Sequence, residues 1–114
     1  MKVTHHYNAH CTNVVDGDTI DCVVDLGFRI EHRTRLRLLG IDTPELRSGD
    51  PKLRAVALVA KERVEELCLK QDIVIFTEKA GSFGRWLARV YVHQEEEFVC
   101  INDLLLQESL ASVY

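Results

Sequence analysis

A run of apolar residues that ends abruptly in acids is the feature that most restricts how this chain can fold. In RLRLLGIDTPEL, residues 35–46, leucines and an isoleucine recur as they do in a buried β-strand, and Asp42, Thr43, Pro44 and Glu45 follow directly. Carboxylates are almost never buried without a partner. The stretch therefore predicts a buried strand whose end lies at the rim of the core, where positive charge balances the acids.

Turn signals and alternating apolar residues predict four further strands. The segment CTNVVDGDTIDCVVDL, residues 11–26, predicts a hairpin with Asp16-Gly17 at its turn. Asp18 then opens the second strand, on a face that continues with Ile20, Cys22, Val24 and Leu26. The segments DIVIFTEK (72–79) and RWLARVYVH (85–93) predict two later strands, joined by a turn in AGSFG (80–84).

Two helices complete the predicted fold. Residues 48–70 carry a helical apolar stripe behind an Asp50 N-cap and a Pro51 at the first helical position, and its members are Leu53, Val56, Ala57, Ala60, Val64, Leu67 and Cys68. A closing helix is predicted from Asn102, as its N-cap, towards Tyr114. Three strands, a helix, two strands and a helix predict an α+β, mainly β fold: a five-stranded OB-fold barrel with a helix inserted after strand 3 and a C-terminal helix.

Length and composition restrict the class of protein. The 114 residues suit one domain, residues 1–114, and no apolar run approaches the roughly 18 residues of a membrane span. The N-terminus shows no apolar signal segment, so we expect a cytoplasmic protein with reduced, buried cysteines and no membrane partner. We expect a monomer, with an oligomer left open. A net charge of −4 argues against a protein that coats nucleic acid.

The acids and arginines together suggest phosphate chemistry. Asp18 and Asp42 lie at strand ends that a barrel can bring to one rim, and two adjacent carboxylates favour a hard divalent cation between them. Ca²⁺ also accepts backbone carbonyls, and Pro44 holds Thr43 extended. Arg37 lies five residues before Asp42, so a shared site requires a bend, which is easiest at Gly40.

Three stretches resemble the thermonuclease (micrococcal nuclease) family: VVDGDTI (14–20), RLRLLGIDTPE (35–45) and FGRWLARVYV (83–92). The similarity extends over residues 14–113. The resemblance implies an OB barrel with added helices and a Ca²⁺-dependent nuclease that hydrolyses DNA and RNA and leaves 3′-phosphate ends.

The resemblance also implies a role for individual residues. The metal ligands are the carboxylates of Asp18 and Asp42 and the carbonyl of Thr43, and Glu45 handles the attacking water. Arg37 and Arg85 hold the phosphate and stabilise the transition state. Candidates for further substrate contacts are Arg35, Phe83 and Tyr114. Ser82 and Phe83 stand where secreted members carry lysine and tyrosine, so we expect weaker substrate binding.

Other interpretations compete with the enzyme. Asp16, Gly17 and Asp18 can simply form a hairpin turn, Arg85 can simply close the next one, and Trp86 is predicted to be a core residue rather than a stacking surface. The alternative function is a noncatalytic nuclease-like OB-fold module that binds nucleic acid or a protein ligand. The intact set Asp18, Arg37, Asp42, Glu45 and Arg85 favours the enzyme, because a pure binding module needs no acidic metal site beside a phosphate.

Overall fold

A computed structural model describes residues 5–79 and 86–114. In chain order its elements are β1 (His6–Asp16), β2 (Thr19–Asp25), β3 (Glu31–Leu38), β4 (Ile41–Asp42), α1 (Pro51–Cys68), β5 (Asp72–Lys79), β6 (Trp86–Gln94), β7 (Glu97–Cys100), α2 (Ile101–Gln107) and β8 (Ser112–Val113). The turn predicted for 80–84 lies outside the described residues.

Five of these strands close into a barrel. Neighbouring strands pair in the order β3-β2-β1-β5-β6, and a parallel pairing between β3 and β6 joins the two ends. The strand β7 extends β6 beyond the barrel, and β4 pairs with β8 in a separate two-stranded sheet. The predicted five-stranded OB-fold barrel, with a helix after the third long strand and another near the C-terminus, is therefore confirmed.

Alternation of side chains places the core inside the barrel. In β2, Ile20, Cys22 and Val24 point inward and are buried, as the sequence predicts, and Leu36 and Leu38 do the same in β3. Further core residues come from β1, β5, β6 and the helices: Cys11, Val14, Ile73, Ile75, Ala88, Val90, Val64, Ile101 and Leu105. Leu26, predicted on the same inner face, is instead exposed at the end of the barrel, where the core stops.

The first hairpin turns one residue later than the sequence suggests. Asp16 pairs with Thr19, so the two turn residues are Gly17 and Asp18, not Asp16 and Gly17. Asp18 therefore precedes β2 rather than opening it. The pairing of β1 with β2 also shifts register between Cys11 and Asn13 and between Val14 and Asp16, which the apolar pattern alone does not reveal.

Helix α1 begins as predicted, but fewer of its apolar residues are buried than the predicted stripe contains. The Asp50 carboxylate accepts a hydrogen bond of 2.9 Å from the Lys52 N–H, and Pro51 is the first helical residue. The buried members of the stripe are Ala57, Ala60, Val64, Leu67 and Cys68. Leu53 and Val56 are exposed, contrary to the prediction, and the buried positions of α1 begin at Ala57.

Helix α2 differs from the prediction in its N-cap and its length. Its N-cap is Cys100, and Asn102 is buried within the helix rather than capping it. The Asn102 side chain accepts a 3.0 Å hydrogen bond from the Val90 N–H and donates to the Leu39 and Ala88 carbonyls at 2.9 and 3.1 Å. The helix ends at Gln107, and the chain returns to form β8. Asn102 thus links β6 to the segment that leads into Asp42.

Cys11, Cys22 and Cys68 are buried, as the sequence predicts, whereas Cys100 is only half-buried. In the described part of the chain, no helix has both the length and the apolar character needed to cross a lipid bilayer.

Candidate active site

Asp18 lies at the junction of three segments. Its carboxylate accepts hydrogen bonds from the Thr19 hydroxyl at 2.9 Å and from the Thr43 N–H at 3.2 Å, and its backbone carbonyl accepts one from the Leu38 N–H at 2.8 Å. Only 7% of the residue is exposed. A carboxylate this deeply buried needs donors or a positive charge beside it. Thr19 at the start of β2 and Thr43 directly after β4 supply the donors to the carboxylate, and β3 holds the Asp18 backbone.

Arg37 provides that charge and brings the two acids together. Its Nη2 lies 3.0 Å from Asp42 Oδ1 and 3.7 Å from Asp18 Oδ2. The bend that a shared site requires occurs after β3, where Gly40 adopts a φ of +78°, a value that favours glycine. The sequence-based prediction of a bend at Gly40 is therefore confirmed. Both carboxylates reach the same guanidinium nitrogen, so both can converge on a single cation.

Gly17 and Thr43 make the close approach that holds Asp18 in place. A Cβ on Gly17 would lie 2.8 Å from the Ala60 Cβ and 3.1 Å from the Thr43 Oγ1, closer than side chains normally approach. The Thr43 hydroxyl is buried and has no hydrogen-bond partner among the described residues. Only glycine lets the hairpin turn pack against both α1 and Thr43, so the Asp-Gly-Asp sequence positions Asp18 in addition to forming a turn.

Asp18, Arg37 and Asp42 line a cleft of about 880 Å³. Its walls include both acids, Arg37, Thr43 and Glu45, the last exposed within a short loop between β4 and α1. Five residues from two motifs, one from residues 14–20 and four from residues 35–45, therefore line one cavity. Glu45 makes no direct hydrogen bond to the acids in the described structure. Arg35 and Arg47 add positive charge at the rim.

Tyr114 also reaches the site. Its N–H donates to the Gly40 carbonyl at 3.0 Å, and the Arg37 guanidinium carbon lies 4.8 Å from the centre of its ring. This cation–π contact places the aromatic ring beside the residue predicted to hold phosphate. Arg85 and Phe83, with Ser82, fall outside the described residues.

Arg35 is only partly available for substrate. It forms a two-point ion pair with Asp21, at 2.8 and 3.3 Å, and the hydrogen bond from Arg35 lowers the pKa of the Asp21 carboxyl. The Arg35 side chain is more than half exposed on the outer face of β3. It lines the rim of the cleft without contacting either acid.

Two residues of the cleft were not predicted as functional. Burial raises the pKa of the Asp16 carboxyl, and the neighbouring Asp18 charge raises it further. The Asp-Gly-Asp spacing is the sequence signal that could have identified Asp16.

Trp86, predicted to be core, is 40% exposed and lines the cleft, because it is the first residue of β6 and lies where the barrel wall ends. Nothing in its apolar sequence context distinguishes it from a core residue.

The donor set fits a hard cation better than a soft one. In residues 5–79 and 86–114, no group of three or more His, Cys, Asp and Glu side chains is arranged to hold a metal ion. The cleft offers two carboxylates and a neighbouring backbone segment at Thr43, all oxygen donors of the kind that hard divalent cations prefer. A cation held here requires additional oxygen ligands from water or from a substrate.

Comparison with known proteins finds a family model and relatives that cover most of the chain. Residues 35–114 match the family model described as Staphylococcal nuclease homologue. The chain is 31% identical to an uncharacterized protein of Methanocaldococcus jannaschii, across 97% of this chain and 61% of that protein. It is 28% identical to a micrococcal nuclease of Shigella flexneri, across 95% of this chain and 59% of that protein. The chain thus spans about three-fifths of the length of these relatives.

Proposed function

The chain belongs to the staphylococcal nuclease homologue family, and on that premise we propose that it is a Ca²⁺-dependent nuclease that hydrolyses phosphodiester bonds in DNA and RNA. The observation that carries the proposal is the convergence of Asp18 and Asp42 on Arg37 Nη2, at 3.7 and 3.0 Å, inside one cleft. A binding module that recognised only phosphate would have no use for two carboxylates beside its arginine, since they repel the ligand.

In this proposal the two carboxylates and the Thr43 carbonyl hold Ca²⁺. The ion, when bound, supplies positive charge that polarises the phosphate and stabilises the charge that develops on it. With few protein ligands, Ca²⁺ affinity depends on oxygen atoms that the substrate brings, so metal and nucleic acid bind more tightly together than apart.

Arg37 would hold a non-bridging phosphate oxygen. A guanidinium has five N–H donors, and the hydrogen bond to Asp42 uses Nη2. Donors on the other two nitrogens remain for the substrate in the described structure. Because arginine stays protonated at any working pH, it stabilises the extra negative charge of the transition state without giving up a proton. Arg85 would act on the same phosphate, as the family resemblance implies.

Glu45 would direct the attacking water. Its carboxylate accepts a proton as the water oxygen forms a bond to phosphorus, and the bond from phosphorus to the 5′-oxygen breaks. The 5′-oxygen leaves with a proton taken from solvent or a nearby acid, so the products are a 3′-phosphate and a 5′-hydroxyl. The exposed position of Glu45 in the loop after β4 gives water direct access to it.

The test is hydrolysis of 5′-labelled single-stranded DNA and RNA with Ca²⁺ or with a chelator. We expect cleavage only with Ca²⁺, and products whose 3′-phosphate is removed by phosphatase. Glu45→Gln should lower kcat by roughly 10²–10⁴-fold, while the matched control Glu96→Gln, an exposed residue that does not line the cleft, should retain activity. Binding without any hydrolysis in Ca²⁺ would instead favour the noncatalytic module.

A further inference from the structure

A second cavity opens at the mouth of the barrel. Its volume is about 640 Å³, and its rim is formed by the start of β1, the end of β2, the start of β3, the end of β5 and the start of β6. Val24, Leu36 and Ile75 from the buried core form its floor. Barrel mouths are frequent ligand sites, and small-molecule pockets occupy roughly 300–1,000 Å³. The size and the apolar floor suit a flat aromatic ring.

Trp86 and Thr34 are shared by this cavity and the candidate active site. Both residues line the barrel mouth, and both also line the cleft that holds Arg37 and the acids. In the parallel pairing of β3 with β6, Trp86 lies opposite Leu36, the residue before Arg37. From the spacing of strands and of residues along them, the Trp86 and Arg37 backbones are about 6 Å apart. A ligand of nucleotide size can therefore contact both sites.

We propose that the barrel mouth is a base-binding subsite, in which an unpaired nucleobase of the substrate stacks on Trp86 while its phosphate lies at Arg37. The proposal rests on the proposed nuclease function for the phosphate end of this ligand. The Trp86 side chain is partly exposed. Stacking on an aromatic ring does not depend on which base is bound, because every base has an aromatic face. Groups at the rim, the Thr34 hydroxyl and the His32 ring, are available to the polar edge of the base.

The chain itself provides the probe, because Trp86 is its only tryptophan. Tryptophan fluorescence of the full chain is measured in Ca²⁺ during titration with thymidine 5′-phosphate and, separately, with 2-deoxyribose 5-phosphate. These compounds carry the same phosphate, contain no phosphodiester bond and differ only in the base. We expect saturable quenching by thymidine 5′-phosphate and none by the sugar phosphate. Equal responses to both would overturn the subsite.

Variants test the same contact in substrate turnover. Trp86→Leu should raise KM for a single-stranded oligonucleotide by roughly 5- to 150-fold, the range expected for loss of one stacked base, with kcat little changed. Trp86→Phe should restore part of the affinity. The matched control is Phe98→Leu, an exposed aromatic on β7 that lines neither the cleft nor the barrel mouth. Circular dichroism checks that each variant is folded.

The outcomes separate this subsite from the nuclease proposal. Base-dependent quenching without hydrolysis of any oligonucleotide supports the subsite and refutes the nuclease. Hydrolysis that is indifferent to Trp86→Leu, together with no quenching, refutes the subsite and leaves the nuclease standing. A rise in KM for Trp86→Leu that is equal for an oligonucleotide with abasic sites and for the intact one would also refute it, since the lost contact would not involve a base.

Discussion

Replacing Asn102 by alanine should lower the free energy of unfolding more than most single substitutions in this chain. The side chain is buried and bridges β6 to the backbone just before Gly40, by accepting from the Val90 N–H and donating to the Leu39 and Ala88 carbonyls. Truncation removes all three hydrogen bonds at once. It also leaves space that water cannot easily fill beside the core.

The magnitude follows from the groups that lose their partner. The Ala88 carbonyl keeps a second donor, the Leu39 N–H at 2.8 Å. The Val90 N–H and the Leu39 carbonyl lose the asparagine, and a buried group without a partner costs about 1–3 kcal/mol. The expected loss is therefore about 4 kcal/mol. With an m-value of about 1.5 kcal/mol/M, the urea midpoint should fall by roughly 2.7 M.

Urea unfolding followed by circular dichroism measures the effect. The matched control is Asn13→Ala, which removes an exposed amide with a single hydrogen bond of 3.3 Å to Asp21 and should change stability by less than about 0.5 kcal/mol. Asn102→Asp should also be strongly destabilised, because a carboxylate accepts from Val90 and cannot donate to the carbonyls. A loss for Asn102→Ala no larger than that of the control would refute the reasoning.

Two further predictions concern the packing around the site and the contact between the helices. Gly17→Ala should destabilise the fold by about 1–3 kcal/mol, because its Cβ would lie 2.8 Å from the Ala60 Cβ. Thermal unfolding of the two single variants and of the double variant with Ala60→Gly should show that the second change recovers part of this loss. If the losses of the two single variants simply add in the double variant, the steric explanation is wrong. The hydrogen bond from Arg63 lowers the pKa of the Glu108 carboxyl, so this pair should contribute about 0.5–1 kcal/mol above pH ~4.3, the unfolded value. That contribution should vanish as the pH falls through the lower folded pKa, and a difference between Glu108→Gln and wild type that persists at pH ~2 would contradict the assignment.

Much of the barrel could be predicted because its strands carry local signals. The alternation in Ile20, Cys22 and Val24 reports one buried face of a strand, and it requires no knowledge of the partner strand. The N-cap at Asp50 is likewise a contact between residues two apart. Errors occurred where pairing partners decide the outcome. The register of the first hairpin depends on irregular pairing between β1 and β2, and β7 forms only as a partner of β6. The short strand β8 forms only because it pairs with the distant β4.

The sequence by itself determined which functional groups the candidate site contains, namely the carboxylates of Asp18, Asp42 and Glu45 and the guanidinium of Arg37. It also indicated the bend at Gly40, whose φ of +78° is a conformation that glycine adopts more readily than other residues. Interactions within a few residues are encoded locally, and side-chain periodicity makes them visible.

Only the tertiary structure decided which side chains are exposed to solvent and which are buried in the core. Asn102 has the residue type and position of a helix cap, yet three long-range hydrogen bonds make it an internal bridge. Trp86 looks like core, yet it lies where the barrel wall ends between two cavities. Burial depends on what other segments cover a side chain, and the covering segments lie tens of residues away along the chain.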